Sequence, residues 1–238
     1  MSDKKIVHVG LIIDGNRRYA RREGLDGKQV YALGARKVYE VIKFVLGSTE
    51  VTELSIYALS RDNLLRKSVE LNAVIMAEKD AFNQWYKDPF FEEKSIQIKF
   101  VGDLALLPET VRESCARLQG KTEKYNLKRL NILIAYMGHH EISSAFHNAI
   151  DTHDINRSKG IVLDKSKTHE LIEKNLQVTT PVDIVIRTAN EHRLSGFLPW
   201  QTQYAEFYTI NKLWPEVEIE DIRLIINEFE SKEAKHGK

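Results

Sequence analysis

The sequence predicts an α/β fold built on a mainly parallel sheet, in a single domain over residues 1–238. Short, near-continuous apolar runs, which are typical of strands covered on both faces, alternate with longer segments whose apolar residues recur at helical spacing. This alternation favours βαβ units joined by right-handed crossovers. The 238 residues, 42% of them hydrophobic, suffice for one large domain, and no internal boundary is evident.

Each predicted element follows from a local pattern. Five apolar runs predict strands at residues 7–13, 54–59, 96–101, 130–136 and 182–186. Helical spacing of apolar residues predicts helices that include residues 35–46 and 219–229. The polar stretch 151–167 predicts a surface connection that contains part of a helix. The chain therefore alternates strands and helices over most of its length.

Charge and cysteine content narrow the classes of protein. The 35 basic and 34 acidic side chains leave a net charge of +1, which argues against a nucleic-acid-binding protein. The single cysteine, Cys115, excludes an internal disulfide and is predicted to be a small core residue. The polar start resembles no signal peptide, and the apolar runs are far shorter than the roughly 20 residues that span a bilayer. We expect a soluble, cytoplasmic protein.

The residues that follow the predicted strands are the first candidates for a functional site. In open parallel sheets, ligands bind beyond the carboxyl ends of the strands. The segments there are Asp14-Gly15-Asn16-Arg17-Arg18, Ser60-Arg61-Asp62-Asn63, Gly102-Asp103, Gly138-His139-His140-Glu141 and Arg187-Thr188. Carboxylates, arginines and small polar residues dominate this set. It indicates a site for a phosphorylated ligand with a metal ion.

The segment 14–18 carries the strongest of these signals. Its glycine permits a tight turn after the strand, and Asn16 is predicted to cap the helix that follows. Free N–H groups at a helix start attract anions, and adjacent arginines reinforce that attraction. A carboxylate such as Asp14 at the same edge can hold Mg²⁺ on a diphosphate. Arg21 and Arg22, one turn later, are interpreted as a solvated basic face.

Two later segments add candidates. The segment 60–70 follows a strand and leads into a helix, and by spacing alone it is equally consistent with an ordinary capped loop. The segment 187–195 is more specific, because two arginines and Ser195 follow one strand and supply donors suited to phosphate oxygens. Downstream, Glu206 lies in an aromatic stretch, where burial would require a metal or an arginine partner.

Together these motifs resemble the cis-prenyltransferases, the family of undecaprenyl and dehydrodolichyl diphosphate synthases. The resemblance lies in residues 8–20, 57–70, 183–201 and 204–208, which occur in the family's order and span nearly the whole chain. It implies a six-stranded parallel sheet with an apolar tunnel and a homodimer. It also implies an Mg²⁺-dependent transferase that condenses an allylic isoprenoid diphosphate with isopentenyl diphosphate. The expected product is a cis prenyl diphosphate of short to medium length, through which the protein could associate with a membrane surface.

The resemblance also assigns roles to residues. Asp14 would hold Mg²⁺ and Asn16 would act at the reacting centre. The matched positions for the allylic diphosphate are Gly15, Arg17, Arg18 and Arg66, and those for the second diphosphate are Arg187, Arg193 and Ser195. The positions that order the catalytic loop are Ser60, Asn63 and Glu70, and those linked to the metal or the second diphosphate are His192 and Glu206.

The chain departs from the family pattern around the predicted diphosphate sites. Gly27 and Tyr31 stand where the family usually has Arg and His, and Leu64 replaces an aromatic residue. The usual Gly-Gly pairs become Met137-Gly138 and Ala189-Asn190, and Gly196 replaces an Asn. The family's C-terminal Arg-x-Gly reads Lys235-His236-Gly237, in which Lys keeps the charge without the forked geometry of Arg.

These departures keep three alternatives open. Dimethylallyl diphosphate could serve as acceptor in a branched, lavandulyl-type (head-to-middle) condensation. The chain could be a non-catalytic partner subunit, although retention of Asp14, Arg187 and Arg193 speaks against that. A zinc hydrolase using 139–141 with His147 and His153 is a weak third, because the spacing is not His-Glu-x-x-His.

Overall fold

Six strands form one parallel sheet in the computed structural model, which describes residues 7–65, 68–158 and 168–236. The strands are β1 (His8–Ile12), β2 (Glu53–Ser60), β3 (Ile96–Val101), β4 (Lys128–Tyr136), β5 (Ile184–Arg187) and β6 (Glu206–Thr209). Their order across the sheet is β3-β4-β2-β1-β5-β6, and every neighbouring pair is parallel. The predicted α/β fold with about six mainly parallel strands is confirmed.

The connections between strands are helical. The helices are α1 (Asn16–Glu23), α2 (Gly27–Ser48), α3 (Ser68–Lys87), α4 (Phe90–Glu93), α5 (Glu109–Thr122), α6 (Gly138–Ser158), α7 (Thr168–Asn175) and α8 (Ile219–His236). Both helices predicted from spacing are present, within α2 and α8. The predicted connection 151–167 begins inside α6, and its residues 159–167 lie outside the described part of the chain.

All five strands predicted from apolar runs are present, whereas β6 was not among them. This edge strand has the sequence EFYT and is only partly buried. It pairs on one side with β5, from Glu206 beside Ile184 to Thr209 beside Arg187. A short strand covered on one side has little apolar content, which explains why a continuous apolar run does not mark it.

Side chains alternate between two buried layers across the sheet. Val9 and Leu11 of β1 belong to the larger core, which includes buried residues of α2, α3, α5 and α8. Ile12 belongs to a smaller core on the opposite face, together with Phe197. Gly10 lies directly under that ring, and a Cβ atom on it would come within 2.6 Å of Phe197. This close approach holds the segment after β5 against β1.

A cluster of polar side chains is buried toward the amino ends of the strands. His8 on β1 hydrogen-bonds Ser55 on β2 through Nε2 at 2.7 Å. The amide of Asn131 on β4 donates to Ser55 at 2.9 Å and to Glu53 at 2.7 Å. All four residues are buried. We call these four residues the amino-end cluster.

The composition and the short apolar runs predict a buried cysteine and no membrane-spanning segment. Cys115 is buried in the larger core, as predicted, and its burial together with the nearby Glu78 carboxylate raises the pKa of its thiol to about 12. Among the described residues, no helix combines the length and the apolar character needed to cross a bilayer.

Candidate active site

A cavity of about 540 Å³ opens at the carboxyl ends of β1, β2 and β5. The segments after these strands line it, so three of the five predicted strand ends meet in one site. Five arginines and four carboxylates belong to its lining, which leaves an excess of positive charge. The charged residues that define its mouth, as we use the term, are Asp14, Arg17, Arg18, Arg187, Glu191 and Arg193.

The other two strand ends do not line this cavity. The side chain of His140 lies 3.9 Å from Asp103, and both belong to the β3–β4 side of the sheet. Glu141 is buried and accepts hydrogen bonds from the backbone N–H groups of Gln177 and Val178 at 2.9 and 3.1 Å. These hydrogen bonds indicate that Glu141 stabilises the fold. The described residues contain no group of three or more His, Cys, Asp or Glu side chains arranged to hold a metal.

Asp14 and Arg187 form an ion pair at the centre of the mouth. The Oδ2 atom of Asp14 lies 2.6 Å from Arg187 Nη2 and accepts a hydrogen bond from Nε at 2.9 Å. Arg187 also donates through Nη1 to Ser195 Oγ at 2.9 Å and to the carbonyl of Arg193. The Arg187 side chain is 4% exposed, whereas that of Asp14 is 39% exposed. The arginine is therefore fixed in place, while the carboxylate remains accessible from the cavity.

The backbone around Asp14 is also fixed. Thr188 Oγ1 contacts both the N–H and the carbonyl of Asp14 at 2.7 Å, and the N–H of Trp214 donates to the same carbonyl at 2.9 Å. Gly15 has φ of 110°, and a Cβ atom there would lie 2.9 Å from the Cα atom of Leu213. Only glycine fits this turn without displacing the neighbouring backbone. The predicted role of Gly15 in a tight turn agrees with this geometry.

The remaining arginines of the mouth are paired with carboxylates. Glu191 accepts from Arg193 at 2.6 Å and lies 3.4 Å from Arg18, which also donates to the carbonyl of Ala189 at 3.0 Å. Arg17 lies 3.6 Å from the Glu70 carboxylate at the start of α3. Because these contacts are partly exposed, an incoming anion with several charges can displace the carboxylates at modest cost.

Asn16 differs from the sequence prediction in one respect. It is the first residue of α1, Gly15 is the N-cap, and no side chain caps this helix. The Asn16 side chain instead lines the cavity, with its Oδ1 atom buried and without a hydrogen-bond partner among the described residues. An unpartnered buried oxygen at the mouth is consistent with a ligand that supplies the missing contact.

The segment after β2 forms the opposite side of the mouth. Ser60 and Asn63 both line the cavity, and the N–H of Asn63 donates to Ser60 Oγ at 3.2 Å. Tyr57 lies beneath them, and burial together with the charge of Asp62 raises the pKa of its phenol to about 12. Its hydroxyl contacts the carbonyl of Ser195 at 3.5 Å. Arg66, predicted to bind substrate, lies outside the described residues.

Two predicted metal ligands, His192 and Glu206, are not among the residues that line the cavity. His192 is near the mouth, and its ring contacts the Asn190 side chain at 3.1 Å. Glu206 begins β6 beside the start of β5, whereas Arg187 ends β5. The Glu206 carboxylate accepts from Tyr208 at 2.8 Å and lies 3.3 Å from Lys232. A lysine therefore takes the place of the predicted metal or arginine partner in this structure.

Two departures from the family pattern share one local explanation. Gly27 begins α2, and a Cβ atom on it would lie 3.2 Å from the Cβ of Ala73 on α3. One turn later, Tyr31 donates to the Glu70 carboxylate at 3.0 Å. The positions that carry Arg and His in the family thus serve the contact between α2 and α3, and Glu70 connects Tyr31 with Arg17.

Behind the mouth, the cavity becomes mainly apolar. Its wall is formed by residues of α2, α3, β2 and β4. They include Val38, Ile56, Val74, Ala77, Ala81, Phe82, Trp85 and Ile132. Sequence reasoning missed two carboxylates, Glu191 at the mouth and Glu78 in this wall. A signal for Glu78 was available, since it lies at helical spacing within the apolar face of α3.

The sequence matches known proteins over most of its length. Residues 12–237 match the model of a protein family described as "Putative undecaprenyl diphosphate synthase". A tritrans,polycis-undecaprenyl-diphosphate synthase (geranylgeranyl-diphosphate specific) from Pyrobaculum aerophilum is 32% identical over 235 residues, covering 97% of this chain and 95% of the relative. An isoprenyl transferase from Deinococcus radiodurans is 30% identical over 236 residues, covering 97% and 85%.

Solved structures share the fold. A crystal structure of a probable undecaprenyl diphosphate synthase from Campylobacter jejuni has a TM-score of 0.73 at 26% identity, covering 95% of each chain. Lavandulyl diphosphate synthase from Lavandula x intermedia, in complex with dimethylallyl diphosphate, has a TM-score of 0.82 at 24% identity, also covering 95% of each. At that identity, the second likeness concerns the fold alone.

Proposed function

We propose, from the premise that this chain belongs to the undecaprenyl diphosphate synthase family of cis-prenyltransferases, that it joins an allylic isoprenoid diphosphate to isopentenyl diphosphate. Membership confirms the family read from the sequence motifs and the prediction of a prenyl-transferring enzyme. The proposed product is a prenyl diphosphate with a cis double bond in each added unit. We further propose one catalytic domain over the whole chain, a homodimer and a cytoplasmic location.

One observation carries this proposal: a single cavity combines an arginine-rich mouth with an apolar interior. An allylic isoprenoid diphosphate has the same division, with a multiply charged head and a hydrocarbon tail. Arginines provide forked donors matched to phosphate oxygens, while the apolar wall gains free energy by removing the tail from water. A small polar metabolite would leave most of this wall in contact with water.

The mouth has residues that fit Mg²⁺ on a diphosphate. Mg²⁺ prefers oxygen ligands and is commonly held by one or two carboxylates together with substrate phosphates. Asp14 offers a partly exposed carboxylate, and Asn16 offers an oxygen without a hydrogen-bond partner among the described residues. When bound, Mg²⁺ would neutralise charge on the departing diphosphate. His192 and Glu206 remain predicted ligands, although neither lines the cavity.

Two groups of residues would each bind one of the two diphosphates. We assign Gly15, Arg17 and Arg18 to the allylic diphosphate and Arg187, Arg193 and Ser195 to the diphosphate of isopentenyl diphosphate. Glu191 and Glu70 hold some of these arginines before substrate arrives. A diphosphate would exchange with the carboxylates, so that the arginines stay oriented in both states.

Catalysis would then depend on positioning and electrostatics. The C–O bond to the allylic diphosphate breaks, and the double bond of isopentenyl diphosphate attacks the allylic carbon. Loss of a proton forms the new double bond. Holding both reactants in one closed geometry and stabilising the leaving charge are the main contributions available to these residues. Asn16 and a phosphate oxygen are the two candidate proton acceptors, and Asn16 is the one that the chain itself supplies.

Product analysis tests the function directly. Purified protein with Mg²⁺ is incubated with dimethylallyl, geranyl, farnesyl or geranylgeranyl diphosphate, each with and without isopentenyl diphosphate. Several relatives are named as specific for geranylgeranyl diphosphate, so we propose it as the first primer. Mass spectrometry should show products longer by whole C5 units, and NMR should show cis double bonds. Failure of every primer to react would refute the proposal.

The same panel of allylic diphosphates distinguishes the proposed function from branched condensation and from a non-catalytic partner subunit. Gly27 and Tyr31 replace the Arg and His that usually serve the allylic diphosphate in the family, which favours a modified allylic site and keeps branched condensation as the second candidate. A C10 product from dimethylallyl diphosphate alone would support it. Activity that appears only after a second protein is added would identify a partner subunit.

A further inference from the structure

Gly34 occupies a position in α2 where the backbone itself does not require a glycine. It lies in the interior of the helix, and it is not among the glycines of the described residues that have positive φ. Glycine is less favourable than alanine inside a helix, because it has more freedom to lose on folding. The reason for Gly34 therefore lies in what surrounds it.

The space beside Gly34 is occupied by Asn16. A Cβ atom on Gly34 would lie 2.8 Å from Asn16 Oδ1 and 3.4 Å from Trp214 Cδ1, and the first distance is shorter than carbon and oxygen normally approach. Turning the Asn16 amide over would not relieve the contact, because its NH2 end is about as large as its oxygen end. Both Gly34 and Asn16 line the cavity. A side chain at position 34 would therefore compete with Asn16 for the same place.

Trp214 and α2 are fixed around this place. The Trp214 side chain is fully buried, and its Nε1 donates to the carbonyl of Gly34 at 3.0 Å. The backbone N–H of Trp214 donates to the carbonyl of Asp14 at 2.9 Å, so that one residue connects α2 with the end of β1. Val30 and Val41, on the same face of α2 as Gly34, are buried in the larger core. Neither the helix nor the tryptophan can move away without disturbing that packing.

The Asn16 side chain is the part of this contact that can move. Its Oδ1 atom has no hydrogen-bond partner among the described residues, so no hydrogen bond to that atom fixes the orientation of the amide. Asn16 follows Asp14 and Gly15 directly, and its amide lies where the two substrates are proposed to meet. Contact with Gly34 therefore contributes to how this amide is presented to the cavity.

We propose that Gly34 is a positioning residue: the absence of a Cβ atom there leaves the place in which the Asn16 amide is held between α2 and the reacting centre. This inference rests on the proposed function and extends it to a residue that we assign to neither diphosphate. Its consequence is specific. A methyl group at position 34 should slow the chemical step while Arg187, Arg193 and Ser195 continue to bind isopentenyl diphosphate.

The kinetic test is a double-mutant cycle that consists of Gly34→Ala, Asn16→Ala and the double variant. Diphosphate release from the primer that the wild type prefers gives kcat and the KM for isopentenyl diphosphate. Each single variant should lower kcat by about tenfold or more, as expected for a displaced group at the reacting centre, with KM changed by less than about twofold. In the Asn16→Ala background, Gly34→Ala should cause no further loss, because the side chain that it displaces is already absent.

Gly120→Ala is the matched control. It makes the same chemical change within α5, where a Cβ atom would meet nothing within 4 Å, and it should keep the wild-type kcat. The thermal unfolding midpoint of Gly34→Ala should stay close to that of the wild type, because the higher helix propensity of alanine offsets the cost of moving a side chain. A fall in kcat without a fall in stability distinguishes positioning from general damage to the fold.

A second measurement does not depend on turnover. In protein labelled with ¹⁵N-asparagine, the side-chain amide signals of Asn16 are those that disappear in Asn16→Ala. We expect them to shift in Gly34→Ala and to keep their positions in Gly120→Ala. Should Gly34→Ala fail to fold, the double variant with Asn16→Ala should fold, because it lacks the atom that the new methyl group meets.

Several results would overturn the proposal: wild-type kcat in Gly34→Ala, unmoved Asn16 amide signals, or a double variant that fails to fold. An undiminished loss of kcat when Gly34→Ala is added to Asn16→Ala would do so too, since it would show that the methyl group obstructs the substrate directly. If wild-type protein makes no prenyl product with any primer, the proposed function fails, and the role of Gly34 in catalysis fails with it. An active wild type with an unchanged Gly34→Ala rejects this inference alone.

Discussion

Polar side chains gather at both ends of the parallel sheet, but with different access to solvent. At the carboxyl ends, Asp14 pairs with Arg187 and keeps 39% of its side chain exposed to the cavity. At the amino ends, Glu53 is only 6% exposed and is held by Asn131. Both clusters connect neighbouring strands through hydrogen bonds. Only the first is open to a ligand.

This difference separates chemistry from stability. A carboxylate reachable from a cavity can exchange a protein partner for a ligand, whereas a sealed one cannot do so without unfolding its surroundings. We therefore expect substitutions at the mouth to reduce turnover and substitutions in the amino-end cluster to reduce the free energy of unfolding. The predictions below test that separation.

The largest expected effect is at Asp14. Asp14→Ala removes the carboxylate that we assign to the metal-bound diphosphate, and we expect kcat to fall on the order of 10²- to 10³-fold, as for loss of one preorganised electrostatic group. Steady-state rates of diphosphate release at saturating substrate measure this. Asp14→Asn keeps the size of the side chain and should lose nearly as much activity. Full turnover by Asp14→Ala would show that the mouth takes no part in the reaction.

A substitution at the other end of the sheet should show the reverse pattern. Asn131→Leu removes the amide that donates to the buried Glu53 carboxylate and to Ser55. Loss of a hydrogen bond to a buried charged group should lower the free energy of unfolding by about 2–3 kcal/mol. Urea denaturation measures this change. KM and kcat at 25 °C should stay close to wild-type values, and a large fall in kcat with wild-type stability would contradict the comparison.

His8 gives the amino-end cluster a pH dependence. Burial lowers the pKa of His8 below its ordinary 6.5, against the opposing effect of Glu53. The unfolded chain therefore binds a proton below about pH 6.5 that the folded chain does not, and stability falls as pH decreases through this range. One such proton contributes at most about 1.4 kcal/mol per pH unit. Unfolding measured from pH 7.5 to 5.5 should be less pH-dependent in His8→Gln, and equal slopes would refute the assignment.

Much of this architecture could be predicted from sequence because it depends on short-range patterns. Buried parallel strands produce apolar runs, and the residues that follow three of them do meet in one cavity. Strand β6 escaped prediction because an edge strand needs few apolar residues. The sequence also could not predict that Glu206 is separated from Asp14. That separation depends on the register of β6 against β5, which places Glu206 beside the start of β5.

The contacts within the site were less predictable than its location. Glu191 joins Arg18 and Arg193 because the segment after β5 folds back on itself, and its turns lie in the left-handed region at Ala189, Asn190 and Ser195. A single sequence shows only that the family's Gly-Gly is replaced there. Backbone torsion angles explain why glycine is usual: both replaced positions have positive φ.

The smallest expected effect comes from restoring one of those glycines. Ala189 has φ of 67°, a region that costs a residue with a Cβ atom about 1–2 kcal/mol. Glycine gains additional freedom in the unfolded chain, which offsets part of this, so Ala189→Gly should stabilise the protein by roughly 0.5–1 kcal/mol. Thermal unfolding should show a midpoint higher by roughly 1–4 °C. Ala116→Gly is the matched control: it makes the same chemical change on the exposed side of α5 and should instead destabilise by about 1 kcal/mol. In Ala189, Arg18 donates only to the backbone carbonyl, so Ala189→Gly should preserve that hydrogen bond. Equal destabilisation by both variants would show that the left-handed turn carries no strain.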